Sequence, residues 1–248
     1  MNHSKRAAVI VLLIGLMSGL AAYGQQAALT DEQVKERLGF ITAALEAGQP
    51  RAKTWLYGWL GAYSAGAATM GVLAATTWKS GDMPLQEGAN DSAQDMLVGS
   101  GTFALGVVGL LMDPFTPATA AKKLRPLPET TALERQAKLA RAEELLRECA
   151  RRERAGRSLT THLLNAGVNA AAGVVTVAAF DRPFADGLVT FAIGEAVSLL
   201  NIFTQPMRAT RDLKKYEAGY PAAAAPAAPR ATWSLSVRPG GLSFRLQF

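Results

Sequence analysis

The sequence predicts an all-α protein: two repeated helix-loop-helix hairpins (four Ala/Gly-rich helices), an N-terminal helix, a charged connecting helix and a short C-terminal β-hairpin. Three observations predict it. Four long stretches, 54–77, 96–112, 158–180 and 187–207, carry almost no charge. The second and fourth match at an offset of 88: Thr102-Phe103-Ala104-Leu105-Gly106 answers Thr190-Phe191-Ala192-Ile193-Gly194, and Leu111 and Phe115-Thr116 answer Leu199 and Phe203-Thr204. The apolar period falls to two only after residue 231.

Residues 1–24 read as a secretory signal peptide. Lys5 and Arg6 give a positive start, Ala7 to Ala22 are uncharged, and Ala22-Tyr23-Gly24 puts small residues before a cleavage site. An apolar run of about 16 residues is short for a span that needs ~20, so cleavage before Gln25 is expected. No cysteine follows that could take a lipid.

The N-terminal helical segment is 25–53. Thr30 caps it with Gln33 three positions on, Val34, Leu38, Ile41 and Leu45 recur at helical spacing, and Gly48 and Pro50 are expected to end the helix at 47. Hairpin repeat 1 is 54–113. A Pro-rich loop and the charged connecting helix follow at 114–157, where Thr131 and Glu134 form a capping box and Leu133, Ala137, Ala140 and Leu145 are expected to face one side. Hairpin repeat 2 is 158–213, in which Leu164, Ala166, Ala178 and Ala179 answer Leu60, Ala62, Ala74 and Ala75. An Ala/Pro-rich linker at 214–231 precedes the β-hairpin at 232–248.

Composition narrows the function classes. The chain is 49% apolar but only 7% aromatic, which points to a core of small residues. Its formal charge of +6 falls to +4 once Lys5 and Arg6 leave. That excess is too mild and too scattered for a nucleic-acid partner. Cys149 is the single cysteine, so no intrachain disulfide forms; it reads as a small packing residue, with a crosslink to another copy as the functional alternative.

Length alone lets the four stretches cross a bilayer, and the rows Gly58, Ala62, Gly66 and Thr190, Gly194, Ser198 suit close helix crossing. Spanning would gather 22 Lys and Arg on one side and leave Lys79 and Arg182 on the other. The positive-inside rule places the 22 in the cytoplasm, whereas a cleaved signal places residue 25 outside. The signal is the better-defined feature, so the expectation is an exported protein, periplasmic or outer-membrane-associated, with the inner membrane as the alternative.

No motif for catalysis, cofactor or metal stands out. His162 is the sole histidine after the signal, and neither a P-loop nor a nucleophile elbow is present. Asp82, Glu87, Asp91, Asp95, Asp181 and Asp186 are acids in turns, better read as helix caps than as an acid pair for glycoside chemistry. His162, Asn165 and Asn169 share a helical face, and Glu195 departs from its repeat partner Val107. These four form a candidate polar cluster, either an ion-handling group or a patch that fixes helix pairing.

In the tail, Trp233, Leu235 and Val237, then Leu242, Phe244, Leu246 and Phe248, alternate with polar residues around Pro239-Gly240-Gly241. These residues resemble the last strand of outer-membrane β-barrel proteins, over about 16 residues. A barrel of that class needs at least about 8 strands, and the chain offers two. The expected role is therefore partner binding, by adding the hairpin to another envelope protein's sheet or to its own copies. Altogether the sequence predicts a non-enzymatic cell-envelope interaction or scaffolding protein, with contact to a membrane surface. A membrane-embedded channel or transporter-like component is the rival, and an envelope enzyme stands third.

Overall fold

The computed structural model describes residues 29–79, 88–221, 232–238 and 241–247. The expected signal peptide, Asp82, Glu87, Phe248 and residues 222–231 of the linker lie outside them. The fold is all-α. Val34–Tyr216 form one compact unit, and the described residues before and after it belong to a second.

Helix α1 (Asp31–Thr77) starts as its sequence predicts. The Gln33 amide donates to the Thr30 hydroxyl at 3.3 Å and the Thr30 amide donates to the Gln33 side chain at 3.0 Å. It does not end at Gly48 and Pro50, and this corrects the expected break. Val34, Leu38, Ile41, Leu45, Ala52 and Trp55 form one buried stripe at three-, four- and seven-residue intervals across the proline. Packing on both sides outweighs the ~3 kcal/mol that an interior proline costs.

Helix α2 (Asp91–Met112) returns antiparallel. A 3-10 turn (Thr116–Ala118) and α3 (Ala120–Leu124) then occupy the Pro-rich segment. Phe115 and Ala118 pack on Ala52 and Trp55, with the Trp55 and Phe115 rings 4.8 Å apart. Helix α4 (Ala132–Ala155) carries the Thr131–Glu134 capping box and stops at Gly156. Its inward face differs from expectation: Leu133, Ala137 and Ala140 are exposed, while Lys138, Leu139, Ala142, Leu145, Leu146, Cys149, Ala150 and Glu153 are buried. The two charged members hid this stripe from a reading based on apolar periodicity.

Helices α5 (Leu159–Phe180) and α6 (Phe184–Thr204) form a tight hairpin. Helix α7 (Arg208–Gly219) follows, so 214–219 is helix and not linker. Glu153 holds its N-terminus, accepting from the Ala209 amide at 2.9 Å and the Thr210 amide at 2.7 Å. These amides are orphans of the first helical turn, and a carboxylate also suits the positive end of the helix dipole. Strands β1 (Thr232–Arg238) and β2 (Gly241–Gln247) pair antiparallel.

The distribution of burial inverts the expected small-residue core. The largest fully buried side chains, among them Phe115, Ile41, Leu124, Leu145, Leu146 and Ile202, lie in the first half of α1, the connector, α4 and the end of α6. These parts form a packed cap. By contrast, the apolar windows of Asp91–Met112, Leu159–Phe180 and Phe184–Gly219 are only 6%, 17% and 11% buried, and all three stretches are long and apolar enough to cross a membrane. Together with the second half of α1 they make an up-and-down bundle whose apolar side chains point outward.

Candidate functional site

The bundle is held by small and polar residues along its inner seams. A Cβ on Gly66 would lie 2.9 Å from the Phe103 ring, and one on Gly106 would lie 2.9 Å from the Tyr63 ring. The Ser100 hydroxyl donates to the Ala67 carbonyl at 2.8 Å. The expected row Gly58, Ala62, Gly66 is only partly used, since Gly58 and Ala62 are exposed and nothing would meet a Cβ on Gly58. The helix needs only its lower half to reach α2.

The row on α6 is used along its length. Thr190 meets Thr176 of α5, their hydroxyl oxygens 3.3 Å apart. Buried Asn169 donates to Glu195 Oε2 at 3.0 Å and to Ser198 Oγ at 3.1 Å, with its carbonyl against Gly194. Asn169 and Glu195 of the candidate cluster therefore meet. His162 and Asn165 are half-buried and share no hydrogen bond with them among the described residues; the His162 ring lies 6.2 Å from that of Phe203. Ser198 completes the site, and the small-residue row in the sequence already carried its signal. Asn169 thus donates to both a carboxylate and a hydroxyl of the facing helix, a polar contact between two apolar helices.

Two further polar groups mark the ends of the bundle. At the end far from the cap, Arg182 Nη2 lies 2.6 Å from Asp186, its Nε 3.4 Å from Asp91 and its Nη1 3.4 Å from Asp95. The turn acids thus tie two hairpin tips through one guanidinium, while Asp181 closes α5 at a φ of 54°. At the cap end, Arg157 donates to the carbonyls of Phe203 at 2.9 Å and Gln205 at 2.8 Å, and Arg152 to that of Asp113 at 3.0 Å. Each arginine neutralises the negative C-terminal end of an apolar helix.

Nucleophilic chemistry finds no support at Cys149. It is fully buried, and burial followed by the nearby Glu153 and Glu148 charges pushes its thiol up to about 12. Among the described residues no group of three His, Cys, Asp or Glu is placed to hold a metal ion. In the tail the register sets Trp233 opposite Leu246, Leu235 opposite Phe244 and Val237 opposite Leu242. The chain matches no family model, no curated protein and no solved structure.

Proposed function

We propose that the chain is a non-enzymatic scaffold of the cell envelope, exported and then seated in a bilayer by its four apolar helices, with the cap outside the lipid. The observation that carries this reading is the outward aim of the apolar side chains. On α5 alone Leu159, Leu163, Leu164, Val168, Val174 and Val175 are exposed. At ~1.5–3 kcal/mol per side chain, leaving those six in water forgoes on the order of 10 kcal/mol, comparable to the stability of a whole domain. Lipid removes that cost. Helix pairing through Gly, Ser, Thr and Asn also fits a medium in which apolar surfaces gain nothing by meeting.

The two hairpins are copies of one unit, and matched Gly106 and Gly194 each admit a side chain from the partner helix. The terminal hairpin, with its apolar positions in register, serves as the partner-binding strand pair, offered to another envelope protein's sheet or to a second copy.

Membrane fractions washed with carbonate and sequencing of the native N-terminus test the placement. Retention of a chain that begins at Gln25, with a cap digested by protease added to spheroplasts, supports it. Release into the wash removes the bilayer, and a protected cap on a chain beginning at Met1 removes the export. The channel reading rests on Glu195 lying at mid-bundle: it requires Glu195→Gln to abolish function, whereas a scaffold keeps function and loses its partner only on deletion of 232–248.

A further inference from the structure

We infer that the cap carries a cationic collar for anionic phospholipid headgroups where the apolar helices emerge, an inference that rests on the bilayer reading of the bundle. The level of the boundary is marked by half-buried Trp59, whose indole donates to the Thr204 hydroxyl at 3.0 Å, one turn beyond buried Trp55, whose indole donates to the Asn201 carbonyl at 3.2 Å. Indoles suit the headgroup level, with an apolar body and one polar tip. Trp78 stands exposed at the other end of α1. The 19 steps from Trp59 to Trp78 span ~28 Å at a helical rise of ~1.5 Å, close to the ~30 Å of a hydrocarbon core.

Immediately on the cap side of that level, cations accumulate. Arg51 precedes Trp55 by four residues, or ~6 Å of helix, and Lys53 lies between them. Arg151 and Arg154 stand on the last turns of α4, and Arg211 on the first turns of α7, whose start is tied to Glu153. All five are exposed. The acids beside them are committed elsewhere. Asp113 pairs with Arg152 at 3.0 Å, Asp212 with Arg208 at 3.1 Å, and Glu153 is buried against the amides of α7. No ion pair among the described residues engages Arg51, Lys53, Arg151, Arg154 or Arg211.

Among the described residues the opposite end offers one such cation, Lys79. Its Arg182 is enclosed by Asp91, Asp95 and Asp186. Five uncommitted cations at one boundary against a single one, Lys79, at the other, continuous with a lipid-facing apolar surface, fit phosphate-bearing headgroups held by juxtamembrane attraction. The collar also gives the cap's cations a role that does not depend on their directing topology.

The test uses the full chain in liposomes of phosphatidylcholine doped with equal fractions of brominated phosphatidylcholine or brominated phosphatidylglycerol, read by quenching of tryptophan fluorescence. At low salt the anionic quencher is expected to be at least about twofold more effective, with the preference lost in high salt, where the Debye length falls to a few ångströms. The triple variant R51Q/R151Q/R154Q should lose the preference while keeping its quenching by the neutral lipid, which shows it folded and inserted. R51K/R151K/R154K should retain it. Equal quenching of the native chain by both lipids overturns the collar and leaves the bilayer reading standing; quenching by neither overturns both.

Discussion

Gly173 and Gly187 meet backbone to backbone: a Cβ on Gly173 would lie 2.5 Å from the Gly187 carbonyl oxygen, and one on Gly187 2.7 Å from that of Gly173. Val177 Cγ2 also stands 2.5 Å from the Gly187 position, but turning that side chain relieves neither carbonyl clash, because both oxygens are main chain. Gly173→Ala and Gly187→Ala should each force α5 and α6 apart and cost about 1–3 kcal/mol, as overpacking does. Gly167→Ala on the same helix meets nothing within 4 Å, so it should be neutral or stabilising by up to ~1 kcal/mol. Thermal unfolding in detergent checks the contrast, and equal effects at 167 and 173 would remove the close crossing.

Asn169 supplies the amide at the mid-bundle contact, and its removal leaves Glu195 without that donor. Asn169→Leu should therefore destabilise by roughly 1–3 kcal/mol. Glu195→Gln keeps a side-chain oxygen for Asn169 and should cost less than ~1 kcal/mol. Double-mutant unfolding measures the pair. Additive effects of the two changes would mean that the contact contributes nothing.

The helices and their caps were legible because their signals are local. Thr30 with Gln33 and Thr131 with Glu134 set two helix starts within four residues of sequence. The seam was half legible. Thr190, Gly194 and Ser198 announced a close face on α6, but Asn169 was selected over His162 and Asn165 only by its height opposite Gly194. The core was least legible. Apolar content marks what avoids water, and it cannot distinguish a side chain packed on protein from one left on the outside of the bundle. Leu145 and Leu146 are buried in the most charged part of the chain, whereas Leu105 and Ile193 are 56% and 62% exposed in the least charged.

Glu153 gives the cap a pH dependence of known sign. Burial raises its carboxyl above the ordinary glutamate value, opposed by the hydrogen bonds from Thr210 and Ala209. A folded-state pKa above the unfolded one means that the group's stabilising contribution is fully present below its unfolded value and is lost as pH rises through the folded value. The native chain should gain stability relative to Glu153→Gln as pH falls from 7 toward 4.5. A constant difference in melting temperature across that range would contradict the raised pKa. Glu153→Ala should be worse at every pH, by about 3 kcal/mol, since it strips the α7 amides of their acceptor.

Cys149 should be inert in the folded protein. A thiol with its pKa pushed up to about 12 holds almost no thiolate at neutral pH, and its side chain is closed to solvent. Maleimide labelling followed by mass analysis should find it unmodified until denaturant is added. Rapid labelling of the native chain, or a dimer that reductant dissolves, would restore the crosslinking role.

Pro50 should be removable with a gain in stability. The helix runs through it because the stripe from Val34 to Trp55 is buried on both sides, yet the ring still deprives the Glu46 carbonyl of its partner amide. Residue 50 is exposed, so alanine there loses little packing. Pro50→Ala is expected to raise stability by about 1–3 kcal/mol, the larger figure applying only if the helix need not readjust. Gly48→Ala adds to it: its Cβ would stand an ordinary 3.6 Å from Arg208 Cδ, and an alanine in place of a helical glycine contributes up to ~1 kcal/mol. Calorimetry of the single and double variants decides the matter. Destabilisation by Pro50→Ala would mean that a kink imposed by the proline is needed to bring Ala52 and Trp55 onto Phe115.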